Sequence, residues 1–242
     1  NTTRIVSTTG PRDWTLNGGK RRFVIFGGRS ILTPQAMNSS QGVEKALAES
    51  NHAVVENIRF NEAAIYGGWV QHVHDVDEAF PEVLTGTPQA VTNTVDLTNV
   101  SVEGTAQIAG GLSVQGEASG NKVTVTGGQY VKTTFAGGYV ERTGSAAGNE
   151  VTVSNTTLTG SEIYGGRIDG TVDAASQATD NVVVIGDNVV GADGGAAQLE
   201  RLYGGYLAAG NDVQKTFAGN ELHISSLVTT AELGGFQHYS FF

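Results

Sequence analysis

The sequence predicts an all-β chain folded as a parallel β-solenoid, and three observations predict it. A short phrase that begins with asparagine recurs along the chain. Each copy is followed by an apolar or aromatic residue and a glycine pair, and successive copies lie 28 to 39 residues apart. Repeats of this length are typical of units that bury their apolar side only by stacking on their neighbours. We therefore expect about seven or eight stacked coils.

The asparagines that begin the phrase are expected to form one structural ladder: Asn57, Asn93, Asn121, Asn149, Asn181 and Asn220. Behind Asn121 and Asn149, valines alternate with polar residues, and this period of two is typical of strands. In coils stacked about 4.8 Å apart, equivalent asparagines lie above one another, and their amides can bond to neighbouring side chains and to the backbone. We therefore expect a buried, structural corner.

The repeat length decides between solenoid types. A propeller blade needs about four strands in roughly 40–50 residues, and a helical repeat needs apolar runs of period 3.6. The shortest repeats, of 28 residues, have room for about three short strands and their corners. Glycine pairs suit corners that need positive φ or a close backbone approach. Both points favour one turn of a β-helix per repeat.

Length and composition indicate one continuous core. The chain has 242 residues, of which 39% are hydrophobic, and needs no second domain. We divide it into residues 1–56, an N-terminal cap with the first coils, and residues 57–242, the solenoid repeats ending in a partial coil. A short helix is expected near residues 41–50, because polar N-cap residues precede Val43, Ala46 and Leu47 on one helical face.

Charge and hydropathy limit the partners. The net charge of −10 repels a phosphate backbone, so we expect no nucleic-acid partner. No apolar run approaches 18 residues, so membrane attachment is expected only through a barrel domain that this chain does not contain. The absence of cysteine suits a secreted β-protein that crosses a membrane unfolded.

The repeated phrase resembles the repeats in passenger regions of Gram-negative autotransporters. The resemblance rests on Gly-Asn-x-Val-Thr-Val followed by an aromatic or alanine and a glycine pair, as in residues 120–138 and 148–166, and it covers about residues 55–242. It implies a right-handed parallel β-helix, export through the type V route, and a location on the bacterial cell surface or outside the cell. The closing residues 233–242 are similar to the stretch before the last passenger coils.

One histidine and carboxylate group is a candidate metal site: His72, His74, Asp75 and Asp77. Two histidines at i and i+2 share a strand face, and neighbouring carboxylates can complete a coordination sphere. The alternative is a polar loop that leaves the coil, which Pro81 and Pro88 favour. We favour the loop and expect no metal, no cofactor and no catalytic residue. A polysaccharide-active enzyme on a β-helix remains the alternative, although acidic residues do not recur at one repeat position.

The aromatic residues that flank the glycine pairs are the candidate ligand face. One flanking position is expected to face outward, which makes Trp69, Tyr139 and Tyr206 candidate contacts at exposed corners. Rings stacked inside the solenoid are the structural alternative. We interpret the chain as a non-catalytic passenger domain that mediates adhesion to a host surface glycan or protein, or self-association. A structural spacer that presents another domain is the remaining hypothesis.

Overall fold

The parallel β-helix is confirmed. The structure is a computed structural model that describes residues 1–8, 12–14, 23–32, 46–72, 88–170, 176–208 and 217–241. Within these residues, the strands form three sheets in which every paired strand is parallel to its neighbours, and no helix is present. Strands that pair lie in successive coils, and a coil contributes one strand to sheet A and one or two strands to sheet B.

Sheet A has eight strands, so the described residues form eight coils, as the repeat length predicts. Its strands alternate buried apolar residues with outward polar ones, as in Lys122–Thr126, where Val123 and Val125 are fully buried. The strands are β1 (Thr2–Val6), β5 (His52–Glu56), β9 (Thr94–Thr98), β13 (Lys122–Thr126), β17 (Glu150–Ser154), β19 (Val182–Ile185), β21 (Glu221–Ile224) and β23 (His238–Phe241).

Sheets B and C complete the coil. Sheet B contains β2 (Arg12–Trp14), β3 (Phe23–Leu32), β6 (Ile58–Phe60), β7 (Ala63–His72), β10 (Ser101–Val102), β11 (Ala106–Ser113), β14 (Gln129–Val131), β15 (Thr133–Val140), β18 (Thr157–Ile168), β20 (Ala197–Leu207) and β22 (Val228–Gly234). Sheet C contains β4 (Leu47–Glu49), β8 (Gln89–Val91), β12 (Gly116–Ser119) and β16 (Gly144–Ser145).

The interior of the coil has two lobes. The larger lobe lies between sheet A and the first part of sheet B, where residues such as Val125, Phe135 and Ile163 are fully buried. The smaller lobe lies between the region of sheet C and the later part of sheet B, and contains Ala118 and Val140. The glycine pairs of sheet B lie between the two lobes.

The glycine pairs allow two backbones to approach each other. No residue of five pairs in sheet B has a positive φ, so left-handed backbone does not explain them: these pairs are Gly67–Gly68, Gly110–Gly111, Gly137–Gly138, Gly165–Gly166 and Gly204–Gly205. A Cβ added to Gly137 would lie 2.8 Å from the backbone nitrogen of Glu150, and one on Gly138 would lie 2.5 Å from both amide atoms of Asn149. Glycine is therefore needed because an asparagine and the start of the next sheet A strand pack directly on it.

Asparagines stack in one buried ladder beside these glycines. Asn149 shows the repeated pattern: its Nδ2 donates to Ala118 O at 2.9 Å and to Asn181 Oδ1 at 3.0 Å. Its Oδ1 accepts from the backbone nitrogen and the Nδ2 of Asn121. The ladder contains Asn51, Asn93, Asn121, Asn149, Asn181 and Asn220, each at most 4% exposed. Asn1 donates to Asn51 at one end, and Gln237 Oε1 accepts from Asn220 N at the other.

The assignment of Asn57 to this ladder is wrong. Asn57 lies beyond the other end of strand β5, with φ of 57°, and its Nδ2 donates to Ser7 O at 3.2 Å. Asn51 holds the ladder position, because His52 pairs with Thr94 in sheet A. Two asparagines thus flank β5: Asn51 belongs to the ladder, and Asn57 turns the corner.

The helix expected near residues 41–50 is wrong where it can be compared. Residues 41–45 lie outside the described residues, and Leu47–Glu49 is strand β4, paired with β8 of sheet C. Ala46 and Ala48 are 3% exposed and pack with Val70 and Ala90, whereas Leu47 faces outward. Burial against the smaller lobe imposes the period of two and overrides helix propensity.

The strands of residues 1–56 and of residues 57–242 belong to the same sheets. Strand β5 pairs with β1 on one side and with β9 on the other, so sheet A continues across the expected boundary.

Among the described residues, no helix has the length and apolar character required to cross a bilayer.

Candidate functional site

Sheet B bends at each glycine pair and brings two outward positions together. In a regular strand, residues at i and i+3 face opposite sides. Tyr66 and Trp69 nevertheless lie on the same outer face, with ring centroids 5.5 Å apart. Their neighbours Ile65 and Val70 both point inward, into the two lobes. Because rings on both sides of the bend touch each other, the outer surface of sheet B is concave at the glycines.

Two columns of side chains line this concave surface, which we call the aromatic face. The column before the glycines is Phe26, Tyr66, Ala109, Ala136, Tyr164 and Tyr203. The column after the glycines is Arg29, Trp69, Leu112, Tyr139, Arg167 and Tyr206. Where the first column holds alanine, the second holds Leu112 or Tyr139, so large side chains fill the space beside small ones. The candidate residues Trp69, Tyr139 and Tyr206 therefore share one column.

A third outward column supplies polar partners to the rings. It runs through Gln107, Thr134, Glu162, Arg201 and Glu232 in consecutive strands. The Tyr66 hydroxyl donates to Gln107 Oε1 at 2.9 Å, the Tyr164 hydroxyl to Glu162 Oε2 at 3.1 Å and the Tyr203 hydroxyl to Glu232 Oε2 at 3.2 Å. Each tyrosine of the column before the glycines is thus fixed by its hydroxyl.

The middle of the aromatic face is closed by its own side chains. The Arg167 guanidinium lies 4.6 Å from the centroid of the Tyr164 ring and 5.3 Å from that of Tyr139, and its Nε donates to Asp169 Oδ1 at 2.7 Å. The Tyr139 hydroxyl donates to Asp169 Oδ2 at 2.9 Å. Tyr164 is fully buried, and Tyr139 is 9% exposed. The expectation that Tyr139 stands at an exposed corner is therefore wrong.

Burial and charge set the protonation of this closed region. Burial raises the pKa of Tyr139, and the charge and hydrogen bond of Asp169 raise it further. Burial also raises the pKa of Tyr164. For Arg167, burial opposes the charged form, but the hydrogen bond and charge of Asp169 outweigh it and raise the pKa. Both tyrosines are therefore neutral hydrogen-bond donors at physiological pH, and Arg167 is a cation.

The two ends of the aromatic face are more open. At one end Arg29 is exposed, and its guanidinium lies 4.5 Å from the centroid of the half-buried Trp69 ring. The Trp69 Nε1 is buried without a hydrogen-bond partner among the described residues. At the other end Tyr203 and Tyr206 are partly exposed, with ring centroids 5.2 Å apart. Ring surface open to a ligand is therefore concentrated at Trp69 and at Tyr203 and Tyr206.

The outer face of sheet A has a different character. Threonine, serine and charged residues alternate with buried valines, and opposite charges pair between neighbouring strands. Lys122 Nζ lies 2.8 Å from Glu150 Oε1, and Arg4 Nη2 lies 3.0 Å from Glu56 Oε1. This face is polar, and some of its charges pair between neighbouring strands.

The candidate metal site lies almost entirely outside the described residues. His74, Asp75 and Asp77 fall there, and His72 is the last residue of β7, with a side chain that is not described. Within the described ranges, no three histidine, aspartate or glutamate side chains gather in a way that would hold a metal ion. The metal hypothesis for residues 72–77 stays a prediction.

Comparisons of the chain with models of protein families, with curated proteins and with solved structures find no match.

Proposed function

We propose that the chain is a non-catalytic passenger domain, displayed on a bacterial surface or secreted, that mediates adhesion through repeated lateral contacts. The observation that carries the proposal is the aromatic face, where outward side chains recur in register across successive strands. Flat rings beside arginine and carboxylate groups suit the apolar faces and hydroxyl edges of sugars, and also the surfaces of proteins.

The open ends of the aromatic face supply two contact regions on one rigid body. Trp69 and Tyr206 occupy one column and are four strand steps apart, which corresponds to roughly 19 Å at the usual strand spacing. A partner that reaches both regions gains effective concentration for the second contact. This arrangement favours an extended partner, such as a glycan chain on a host surface.

The polar outer face of sheet A supports display in water. Its threonines and paired charges keep this surface hydrated, and the net charge of −10 disfavours close packing of identical copies at low salt. Self-association of the chain is the alternative form of adhesion, and it would strengthen as salt screens this repulsion.

The export route is proposed from the resemblance to autotransporter passengers. A parallel β-helix built from Gly-Asn-x-Val-Thr-Val repeats and free of cysteine is consistent with a chain that folds after crossing a membrane. On this proposal the partners are a host surface glycan or protein, or other copies of the chain.

The test compares the chain with a variant altered at one open end of the aromatic face. Non-adherent bacterial cells display either the wild-type chain or the double variant Trp69→Ala with Arg29→Ala, and their retention is measured on surfaces coated with glycans or with matrix proteins. We expect cells that display the wild-type chain to be retained. Retention of cells that display the double variant should be about tenfold lower, or lower still, since ring stacking and the cation are both removed.

Asn155→Gly is the matched control, because Asn155 is exposed at a corner away from the aromatic face. Protease resistance on the cell surface verifies that every variant is folded. If wild type, double variant and control are retained equally, the aromatic face does not mediate adhesion. If cells that display wild type are neither retained nor aggregated, the spacer hypothesis is favoured.

A further inference from the structure

A cavity of about 370 Å³ opens at one end of the aromatic face. Four aromatic rings line it, together with a leucine and an amide: Tyr203, Tyr206, Leu207, Phe217, Phe236 and Gln237. Pockets for small ligands begin at about 300 Å³, so this space suits a ligand of about one ring. The cavity is separate from the closed middle of the aromatic face, where Arg167 covers the rings.

The cavity exists because the last described coil is short. In the preceding coil, residues 208–220 connect the end of β20 to the start of β21, whereas only residues 235–237 connect β22 to β23. Strand β22 therefore covers only the first part of β20, from Ala197 to Tyr203. A space remains between Tyr206, Leu207 and the 235–237 segment.

The 235–237 segment is fixed by its own contacts. Gly235 has φ of 69°, and a Cβ there would lie 2.0 Å from Gly205 O, so only glycine fits. The Gly205 backbone nitrogen donates to Gly235 O at 3.2 Å. Phe236 is 8% exposed and lies over Gly204, where an added Cβ would be 2.5 Å from its Cδ1. The cavity wall is therefore held in place before any ligand binds.

Two polar groups at the cavity have hydrogen-bonding capacity to spare. Gln237 Oε1 accepts from Asn220 N at 2.9 Å, and this contact fixes the amide, but Gln237 Nε2 has no partner among the described residues. The Tyr206 hydroxyl likewise has none there, whereas the Tyr203 hydroxyl is held by Glu232. The site thus offers apolar ring surface beside one amide donor and one free hydroxyl.

We propose that this cavity binds one neutral pyranose residue of a glycan. A pyranose has an apolar face of C–H groups that packs on aromatic rings, and an edge of hydroxyls that bonds to amides and phenols. Glu232 beside Tyr203, and the net charge of −10, disfavour an anionic sugar. The inference rests on the proposed function in taking the sugar to be part of a surface glycan, and it assigns the site and the sugar class.

The test is titration of the full chain, labelled with ¹⁵N, with single-ring probes followed by NMR. The probes are the methyl glycosides of glucose, galactose and mannose, methyl glucuronide as the anionic counterpart, and N-acetyltyrosinamide as a mimic of a protein side chain. We expect at least one neutral glycoside to shift the amide signals of Gly205, Gly235 and Gln237, with affinity at least tenfold higher than that of the glucuronide.

Variants then locate the contact. Tyr206→Ala should weaken glycoside binding at least tenfold, because it removes a ring and the free hydroxyl. Gln237→Glu keeps an oxygen for Asn220 N but removes the amide donor, and should weaken binding about threefold to tenfold. Asn155→Gly changes an exposed corner away from the aromatic face and should leave binding unchanged. Circular dichroism melts verify that each variant is folded.

The proposal is overturned if no neutral glycoside shifts these signals, or if N-acetyltyrosinamide binds there more tightly than every glycoside. It is also overturned if Tyr206→Ala and Gln237→Glu are both folded and bind as wild type does. Its failure is distinct from failure of the proposed function, because adhesion is tested at Trp69 and Arg29, at the opposite end of the aromatic face. Glycoside binding in the cavity without cell adhesion would support the sugar site and contradict the proposed function.

Discussion

Strand β17 has an asparagine at each end, and the two residues have opposite environments. Asn149, before the strand, is fully buried, and its side chain makes four hydrogen bonds with neighbouring coils. Asn155, after the strand, is exposed with φ of 51°, and its Oδ1 accepts one hydrogen bond, from Asn188 at 3.0 Å. The first asparagine satisfies buried backbone groups, and the second turns the chain.

The two columns to which these residues belong differ in what they tolerate. The buried ladder has asparagine in every coil from Asn51 to Asn220. The exposed corner holds Asn57, Asn99, Asn155 and Asn188 with φ between 51° and 57°, and Gly127 at φ of 75° in the coil between Asn99 and Asn155. A left-handed backbone is open to both asparagine and glycine, whereas the ladder needs an amide that both donates and accepts. The ladder therefore has the same residue in every coil because it needs a particular side chain, whereas the exposed corner varies because it needs only a left-handed backbone.

Asn149→Ala should have the largest effect. It leaves the backbone nitrogen of Asn121 and the carbonyl oxygen of Ala118 without these partners inside the solenoid. Since each buried polar group left unsatisfied costs about 1–3 kcal/mol, the free energy of unfolding should fall by about 3–4 kcal/mol. Urea denaturation of the variant and of the wild type measures the change.

Asn155→Gly is the matched control at the other end of the same strand. It removes one exposed hydrogen bond and relieves the left-handed backbone, so the free energy of unfolding should change by less than about 1 kcal/mol. Equal losses for Asn149→Ala and Asn155→Gly would show that the two columns are energetically equivalent, against the contrast described above.

Gly138→Ala should have the next largest effect, because the added methyl group would overlap with the side chain of the ladder residue Asn149. The added Cβ would lie 2.5 Å from both amide atoms of Asn149 and 2.6 Å from Ala118 O. Overpacking of this kind typically costs about 1–3 kcal/mol, and we expect the upper part of that range because a backbone oxygen cannot easily move away. Thermal denaturation followed by circular dichroism gives the size of the loss.

The double variant Gly138→Ala with Asn149→Ala sharpens the same point. The two residues are in contact, so their effects should not add: removing the amide of Asn149 relieves that part of the clash, and only the contact with Ala118 O remains. The double variant should be destabilised by about 1–2 kcal/mol less than the sum of the single variants. Additive effects would mean that Gly138 is required for a reason other than its contact with Asn149.

The sequence predicted about seven or eight coils, short strands within each repeat and five members of the ladder, because their signals are local. Alternation behind Asn121 and Asn149 reports burial directly. The first member of the ladder is Asn51 and not Asn57. The residue before a ladder asparagine needs only a left-handed backbone, so it does not have to be glycine. Glycine fills that place before Asn121 and Asn149, but Ser50 fills it before Asn51, with φ of 51°. The glycine-asparagine signature is absent there, and Asn57, followed by Ile58, resembled the repeat.

The aromatic face was predicted only in part. The sequence showed that rings flank the glycine pairs, but strict alternation placed Tyr66 and Trp69 on opposite faces. The bend that brings them together arises because Asn93 and Thr94 pack against Gly67 and Gly68 from across the coil. The closing of Tyr139 by Arg167 and Asp169 also depends on pairing between coils. Such tertiary effects have no signature within one repeat.

The smallest expected effect tests the residue that precedes the ladder. Thr92 has φ of 53° at the position where later coils have Gly120 and Gly148. A left-handed backbone costs a residue with a Cβ about 1–2 kcal/mol, and glycine avoids this cost. Glycine also makes the unfolded chain more flexible, which offsets about 0.5–1 kcal/mol of the gain. Thr92→Gly should therefore stabilise the protein by about 0.5–1 kcal/mol, measured by urea denaturation.

Two companion variants separate backbone strain from other causes. Thr92→Ala removes the exposed hydroxyl contact with Ser50 but keeps the Cβ, so it should not stabilise the protein. Gly148→Ala is the reverse experiment: the added Cβ would find only Gly120 N, 4.0 Å away, so the space is open and any loss comes from the positive φ. A loss of about 1 kcal/mol is expected. If Gly148→Ala is neutral while Thr92→Gly still stabilises, strain at φ is not the cause, and the glycines before the ladder asparagines would need another explanation.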